Sequence, residues 1–317
     1  MRVSLNIIFL LSLCAAAYAA DAQRLNGFEL DEPLIPAGAI EKGGPPRDGI
    51  PSIDSPLFVA ASEATFLGPD DRVLGVTQGP KSKAYPVKIL NRHEIVNDWL
   101  DEKPLVVTFC PLCGSGVAFS ATVDGRELTF GVSGLLYNSD VLLYDRETGS
   151  LWSQIAAKAV NGPLKGSELT QLPLHHTSWK DWQARHPDTR VLSTQTGFRH
   201  IDYDQDPYKR YKNTSRLMFS VSNTDKRLKN KDWVLGVIAD GTARAYPFDS
   251  LEKEASPVRD QIGDVAVSIH FDSENQTAIA LDQDGAALAS IQLYWFAWAA
   301  FHPDTSIWSC GDGSRRC

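Results

Sequence analysis

Two thiols three positions apart, Cys110 and Cys113 in the stretch PLVVTFCPLCGSG from Pro104 to Gly116, are the residues whose type and spacing best suit chemistry. Such a pair can close a small redox disulfide or fill two corners of a thiophilic metal site. Leu105 to Phe109 is a short apolar, β-branched run. It predicts a buried strand delivering the thiols into a turn made permissive by Gly114 and Gly116. His93, one element earlier at the head of His-Glu-Ile-Val-Asn-Asp, would complete a set of Cys110, Cys113 and His93 if the elements pair in space. That set suits Cu(I), or zinc with an open position. His176 is a further possible ligand; its neighbour His175 would point to the opposite face of an extended segment. With one CxxC in the chain, a closed four-thiolate site built from two such motifs is excluded.

Metal binding is the first of three readings of the pair. The second is a thiol–disulfide oxidoreductase, but Gly-Ser-Gly and a strand-like VAFS follow the thiols where a thioredoxin-type site would start a helix that lowers the thiol pKa. The third is a structural disulfide in a non-enzymatic binding domain. Asp140, in Asn138-Ser139-Asp140, joins Cys110 and Cys113 as a catalytic candidate, as acid, base or orienting partner, balanced against a role in a turn. Asp145 and Arg146 read as a surface pair. No Ser-His-Asp grouping and no nucleotide-cofactor motif is visible.

An internal repeat supplies the positioning elements. Asp71 to Pro86 aligns without a gap on Asp232 to Pro247, an offset of 161 with eight of sixteen positions identical, and each copy reads as a hairpin ending in Tyr-Pro. Trp179 to Thr189 aligns on Trp295 to Thr305 at an offset of 116, so the second copy is 45 residues shorter between these landmarks. The missing part is expected to include any counterpart of CPLCGSG and of the following Gly134 to Gln154, which makes copy one (70–193) the bearer of chemistry and copy two (232–309) scaffold. His186 and His302 recur at the ends of Trp-bearing helices, and that recurrence favours a structural role at the carbonyl end of the helix. Short helices are expected near 88–99 and 177–186.

Residues 1–20 read as a signal peptide: Arg2, an apolar run from Val3 to Leu13 too short to span a bilayer, then Ala17-Tyr18-Ala19. The expectation is an exported, soluble protein, periplasmic or extracellular. Residues 21–56, rich in Pro and Gly with neither strand nor helix period, read as an extended arm in which Asp48 and Asp54 form turns. Cys310 and Cys317 would close a tail over 310–317. A net charge of −8 gives no basic footprint for nucleic acid, leaving a small molecule, a metal ion or a protein as partner.

These motifs together make the chain resemble the bacterial family known as DUF3179, a family of unknown function. The resemblance rests on Gly43-Gly-Pro-Pro-Arg-Asp-Gly-Ile-Pro51, Ala84-Tyr-Pro86, His93 to Asp98, Val107 to Gly114, Asn138-Ser-Asp140 to Trp152, His176 to Trp182 and HPDT. It implies a DUF3179-like domain over 57–309 and brings no reaction with it; the reduced second copy departs from a two-site arrangement. The expected fold is α+β, mainly β: a single large domain built from a degenerate internal repeat with short helices.

Overall fold

In the computed structural model, which describes residues 23–309, the two copies of the repeat fold as the same sheet in the same register. The segment 1–20 and the tail 310–317, for which closure by Cys310 and Cys317 is expected, lie outside the described residues. The first sheet runs, in spatial order, His175–Ser178, Arg72–Gln78, Lys81–Pro86, Arg190–Leu192 and Phe58–Ala60; the second runs Ser290–Tyr294, Trp233–Ala239, Thr242–Pro247 and Ser306–Ile307. Arg72 lies opposite Ser178, and Trp233 lies opposite Tyr294. Both offsets therefore hold strand by strand.

One packing unit recurs in each copy. Gly75 and Gly236 have no side chain because the rings of Trp182 and Trp298 lie on them: an added Cβ would sit 2.3 and 2.2 Å from the ring. Each indole N–H donates to the threonine of HPDT, Thr189 at 3.0 Å and Thr305 at 2.8 Å. His186 and His302 stack on those same indoles at 4.1 Å between centroids. Both histidines stand at the helix C-cap, as expected, and the packing partner of each ring is the tryptophan.

Each hairpin leads through Tyr-Pro into a short helix, α1 (Val87–His93) in the first copy. α1 stops earlier than the sequence expectation, because Glu94 takes φ 58° and the β-branched Ile95 and Val96 open the strand Ile95–Leu100. α2 (Trp179–Arg185) is capped by the Ser178 hydroxyl accepting from the Asp181 amide. α3 (Lys209–Lys212), α4 (Phe248–Leu251) and α5 (Trp295–Phe301) complete the set of α-helices among the described residues.

After α1 comes a meander of Ile95–Leu100, Lys103–Cys110 and Ser115–Ser120; after α4 comes an equivalent one of Val258–Ile262, Val265–Asp272 and Thr277–Leu281. The second copy therefore keeps the hairpin that bears the cysteines in the first, with a polar turn in place of CPLCG. What it lacks is a whole sheet, ordered Lys158–Asn161, Leu151–Ser153, Asp140–Asp145, Phe130–Tyr137 and Ile40–Lys42. As expected, the shortening removed the part that holds Gly134 to Gln154, but the hairpin that bears CPLCG in the first copy persists in the second with a different turn. The N-terminal segment 21–56, expected to lack strands, contains them: Ile40–Lys42 pairs with Leu135–Tyr137, and Gln23–Leu25 pairs with Phe28–Leu30.

The described chain is mostly β, 42% strand against 12% helix, in a propeller-like ring of five small sheets. No helix among the described residues is long and apolar enough to cross a membrane.

Candidate metal centre

Cys110 ends one strand and pairs with Ser115 at the start of the next, so Pro111 to Gly114 form a tight β-turn. Gly114 takes φ 68°, and a Cβ there would meet the Trp233 ring at 2.7 Å, which explains the glycine. The turn is braced from outside. The Tyr211 hydroxyl donates to the Leu112 carbonyl at 3.0 Å, and the Tyr294 amide donates to the Cys113 carbonyl at 2.8 Å. Both cysteines are buried free thiols.

The inserted sheet presents a second turn to the first. Tyr137 pairs with Asp140 across Asn138 and Ser139, whose φ values of 53° and 63° make a two-residue primed hairpin turn. Left-handed backbone at two successive non-glycine residues is strained, and the surroundings hold it in place. The Asn138 amide nitrogen donates to the Ala300 carbonyl, the Ser222 amide donates to Asn138 Oδ1, and the Ser139 hydroxyl donates to the Phe219 carbonyl. In this position the Ser139 carbonyl accepts from both thiols, at 3.7 Å from Cys110 Sγ and 3.4 Å from Cys113 Sγ.

Asp140, the next residue, points between them. Its Oδ2 accepts from the Ile155 amide at 3.1 Å, while its Oδ1 is buried with no hydrogen-bond partner. The two sulfurs and a carboxylate oxygen of Asp140 all lie within 4.8 Å of one another. A tetrahedral zinc with bonds of about 2.3 Å to sulfur holds its donors roughly 3.5–3.8 Å apart, so this set fits with small rotamer adjustments.

Burial dominates the electrostatics. It pushes the Cys110 thiol up, and pushes Cys113 well above the ordinary thiol range with Cys110 adding to the effect. Burial also raises Asp140 to about 7, against the hydrogen bond from the Ile155 amide and the nearness of the two thiols, which favour its charged form. Glu94, just beyond α1, is raised to about 8 by burial and then by Asp140. Neither Asp140 nor Glu94 forms a salt bridge among the described residues. Four buried acids thus lie close together with no basic side chain in salt-bridge distance among the described residues. Tyr208, beside Glu94 and Cys110, is raised by burial first.

The other sequence candidates go elsewhere. His93 lies outside the cluster: one ring nitrogen faces the Pro51 carbonyl at 2.7 Å and the other faces the Tyr203 hydroxyl at 2.6 Å. His176 faces a separate cavity, and His175 turns away toward Trp182. Asp145 accepts from the Trp152 indole and the Thr148 amide, while Arg146 reaches Asp54, Asp48 and Ser52. Gln154 locks the base of the hairpin, accepting from Ser115 and donating to Thr108. Sequence reasoning missed Glu94, Tyr208 and Tyr211. Glu94 stands inside the quoted His-Glu-Ile-Val motif, but only its backbone angle turns it to the core.

The family model described as protein of unknown function (DUF3179) matches residues 47–287. No curated protein and no solved structure matches the chain.

Proposed function

The chain belongs to the DUF3179 family, and we propose that this member is an exported metal-binding protein whose site is Cys110, Cys113 and Asp140, taking one thiophilic cation, zinc or copper. The observation that supports it best is the buried, partnerless Asp140 Oδ1 set between two buried thiols. An unpartnered carboxylate oxygen costs several kcal/mol in a dry core, and coordination would relieve that cost. Two thiolates and a carboxylate carry three negative charges, which a divalent ion offsets better than Cu(I); the hard oxygen donor also favours zinc. Three protein ligands leave a tetrahedral ion one further position.

Oxidoreductase chemistry of the same thiols is the less favoured reading. Cys110 ends a strand rather than starting a helix, and burial raises both thiols where a thiolate nucleophile needs the reverse. The reading of residues 1–20 as a signal peptide remains part of the proposal.

The test is elemental analysis of the mature protein purified without chelator, with thiols counted in parallel, on wild type, Cys110→Ser and Asp140→Asn. About one equivalent of zinc or copper, lost in both variants, is expected for a three-ligand site. Wild-type protein that stays metal-free after incubation with each ion and anaerobic removal of the excess would overturn the proposal. Rapid, reversible oxidation of the pair in that protein would then favour the redox reading.

A further inference from the structure

Beside the cysteine hairpin, where the two copies of the repeat meet, lies a cavity of about 370 Å³. Phe109 of the cysteine-bearing strand and Gly114 of its turn both line it, while the two thiols do not, so the cavity adjoins the hairpin without opening on the sulfurs. Its walls include two pairs of equivalent repeat positions. Arg72 and Trp233 stand 161 apart, and His176 and Gln292 stand 116 apart. Copy one gives the basic member of each pair, and copy two gives an aromatic and an amide. The second copy, expected to be scaffold, therefore supplies half of a potential site.

Three features of the lining point to a ligand. The first is its apolar shape: Trp233 packs on Tyr294 at 4.5 Å, and the His176 ring stands edge-on to Trp233 at 5.7 Å and to Phe109 at 6.1 Å. The second is a pair of polar atoms with no hydrogen-bond partner, His176 Nδ1 and Gln292 Oε1, on side chains 4% and 6% exposed. Native cores leave few such atoms; both belong to side chains that line the cavity, and each is covered, so a small side-chain rotation would turn it to a bound molecule. The third is charge. The Arg72 guanidinium donates to the carbonyls of His176, Asn275 and Gln276, and no carboxylate among the described residues lies within salt-bridge distance of it. Lys212, which also lines the cavity, is shared with Asp206 at 2.9 Å. Burial, followed by the charges of Arg72 and Lys212, holds His176 neutral, so the basic charge of the lining comes from Arg72 and Lys212.

We propose that this cavity binds a small organic anion: a carboxylate on a flat apolar frame that also carries a hydroxyl or N–H donor. The carboxylate serves as counter-ion to Arg72 and Lys212, the frame lies among Trp233, Tyr294 and Phe109, and the donor reaches Gln292 Oε1. The volume stands at the lower end for small-molecule sites, which fits a one-ring acid rather than a nucleotide or a lipid. The proposal does not depend on the metal reading.

The test uses the full mature protein, with saturation-transfer NMR and tryptophan fluorescence, and four probes: 4-hydroxybenzoate, benzoate, benzylamine and inorganic phosphate. Saturable binding of both benzoates is expected, with benzylamine and phosphate at least roughly tenfold weaker, a difference of about 1.4 kcal/mol. Gln292→Leu should weaken 4-hydroxybenzoate by roughly fivefold or more and leave benzoate unchanged, and Lys212→Met should weaken both acids. Absence of saturable benzoate binding up to about 10 mM, or benzylamine binding as tightly as benzoate, would overturn the proposal. So would unaltered affinity for both acids in both variants, each first shown by circular dichroism to be folded.

Discussion

Replacing Asp140 by Asn should make the metal-free protein more stable and the metal-treated protein less so. Asp140 is buried, and its acidity is shifted from near 4 to about 7. The folded state therefore holds its proton over a range where the unfolded chain has released it. With a raised pKa, the penalty for the ionised carboxylate appears as pH rises above about 4 and is nearly complete at 7. Three pKa units at 1.36 kcal/mol each give about 4 kcal/mol in full, so a gain on the order of 2–4 kcal/mol at neutral pH is expected when the acid is removed. The Asn carbonyl can keep the hydrogen bond from the Ile155 amide, so the comparison is nearly isosteric. Zinc at a thousand times its dissociation constant would add about 4 kcal/mol to the wild type and almost nothing to the variant. The assay is urea unfolding at pH 7.5 and pH 5 under reducing conditions, with chelator and with zinc. At pH 7.5 the variant should lie above wild type with chelator and below it by about 0–2 kcal/mol with zinc, and the chelator gap should shrink at pH 5. A variant that is less stable than wild type in chelator at pH 7.5 would refute the reasoning.

Gly236→Ala should cost about 2–3 kcal/mol and Gly75→Ala a similar amount, read from the urea midpoint, because each Cβ would enter an indole fixed by its hydrogen bond to threonine. Removing the carboxylate of Asp98, which binds Lys83 at 2.7 Å and the Tyr85 hydroxyl at 2.7 Å, should cost about 3 kcal/mol by the same measurement in Asp98→Ala. Burial lowers His175 and His302 to about 4. A lowered histidine pKa contributes stability that is present above about 6.5 and lost as pH falls toward 4. His302→Phe should accordingly flatten the fall of the unfolding midpoint between pH 6.5 and 4.5 by on the order of 2 kcal/mol.

The repeat was the most legible feature of the sequence, because VLGV, Ala-Tyr-Pro and HPDT each mark a position where packing tolerates little else. Gly75 under Trp182 shows why. The hairpin nature of the cysteine turn was also legible, from β-branched residues before it and glycines within it. The third ligand was harder. Asp140 reaches the thiols because two left-handed residues turn one sheet onto another, and no local pattern encodes that docking. His93 shows the converse. It is near Cys110 in the chain order of elements, yet its ring is taken up by the Pro51 carbonyl and by Tyr203, 110 positions away. The two offsets made the deletion and its Gly134 to Gln154 part legible, whereas the persisting hairpin was not, since a hairpin with its cysteines replaced leaves no motif to align.

The cluster and the cavity differ in when the growing chain can assemble them. The three proposed ligands fall within thirty-one consecutive residues, from Cys110 to Asp140, carried on two hairpins that each close locally. The cavity spans from Arg72 to Tyr294 and cannot exist until the last sheet has been synthesised and folded back on the first. Local closures are fast and distant ones slow. The thiols are thus brought together early and sealed late, and the interval between is when they stand open to any ion or oxidant the compartment offers.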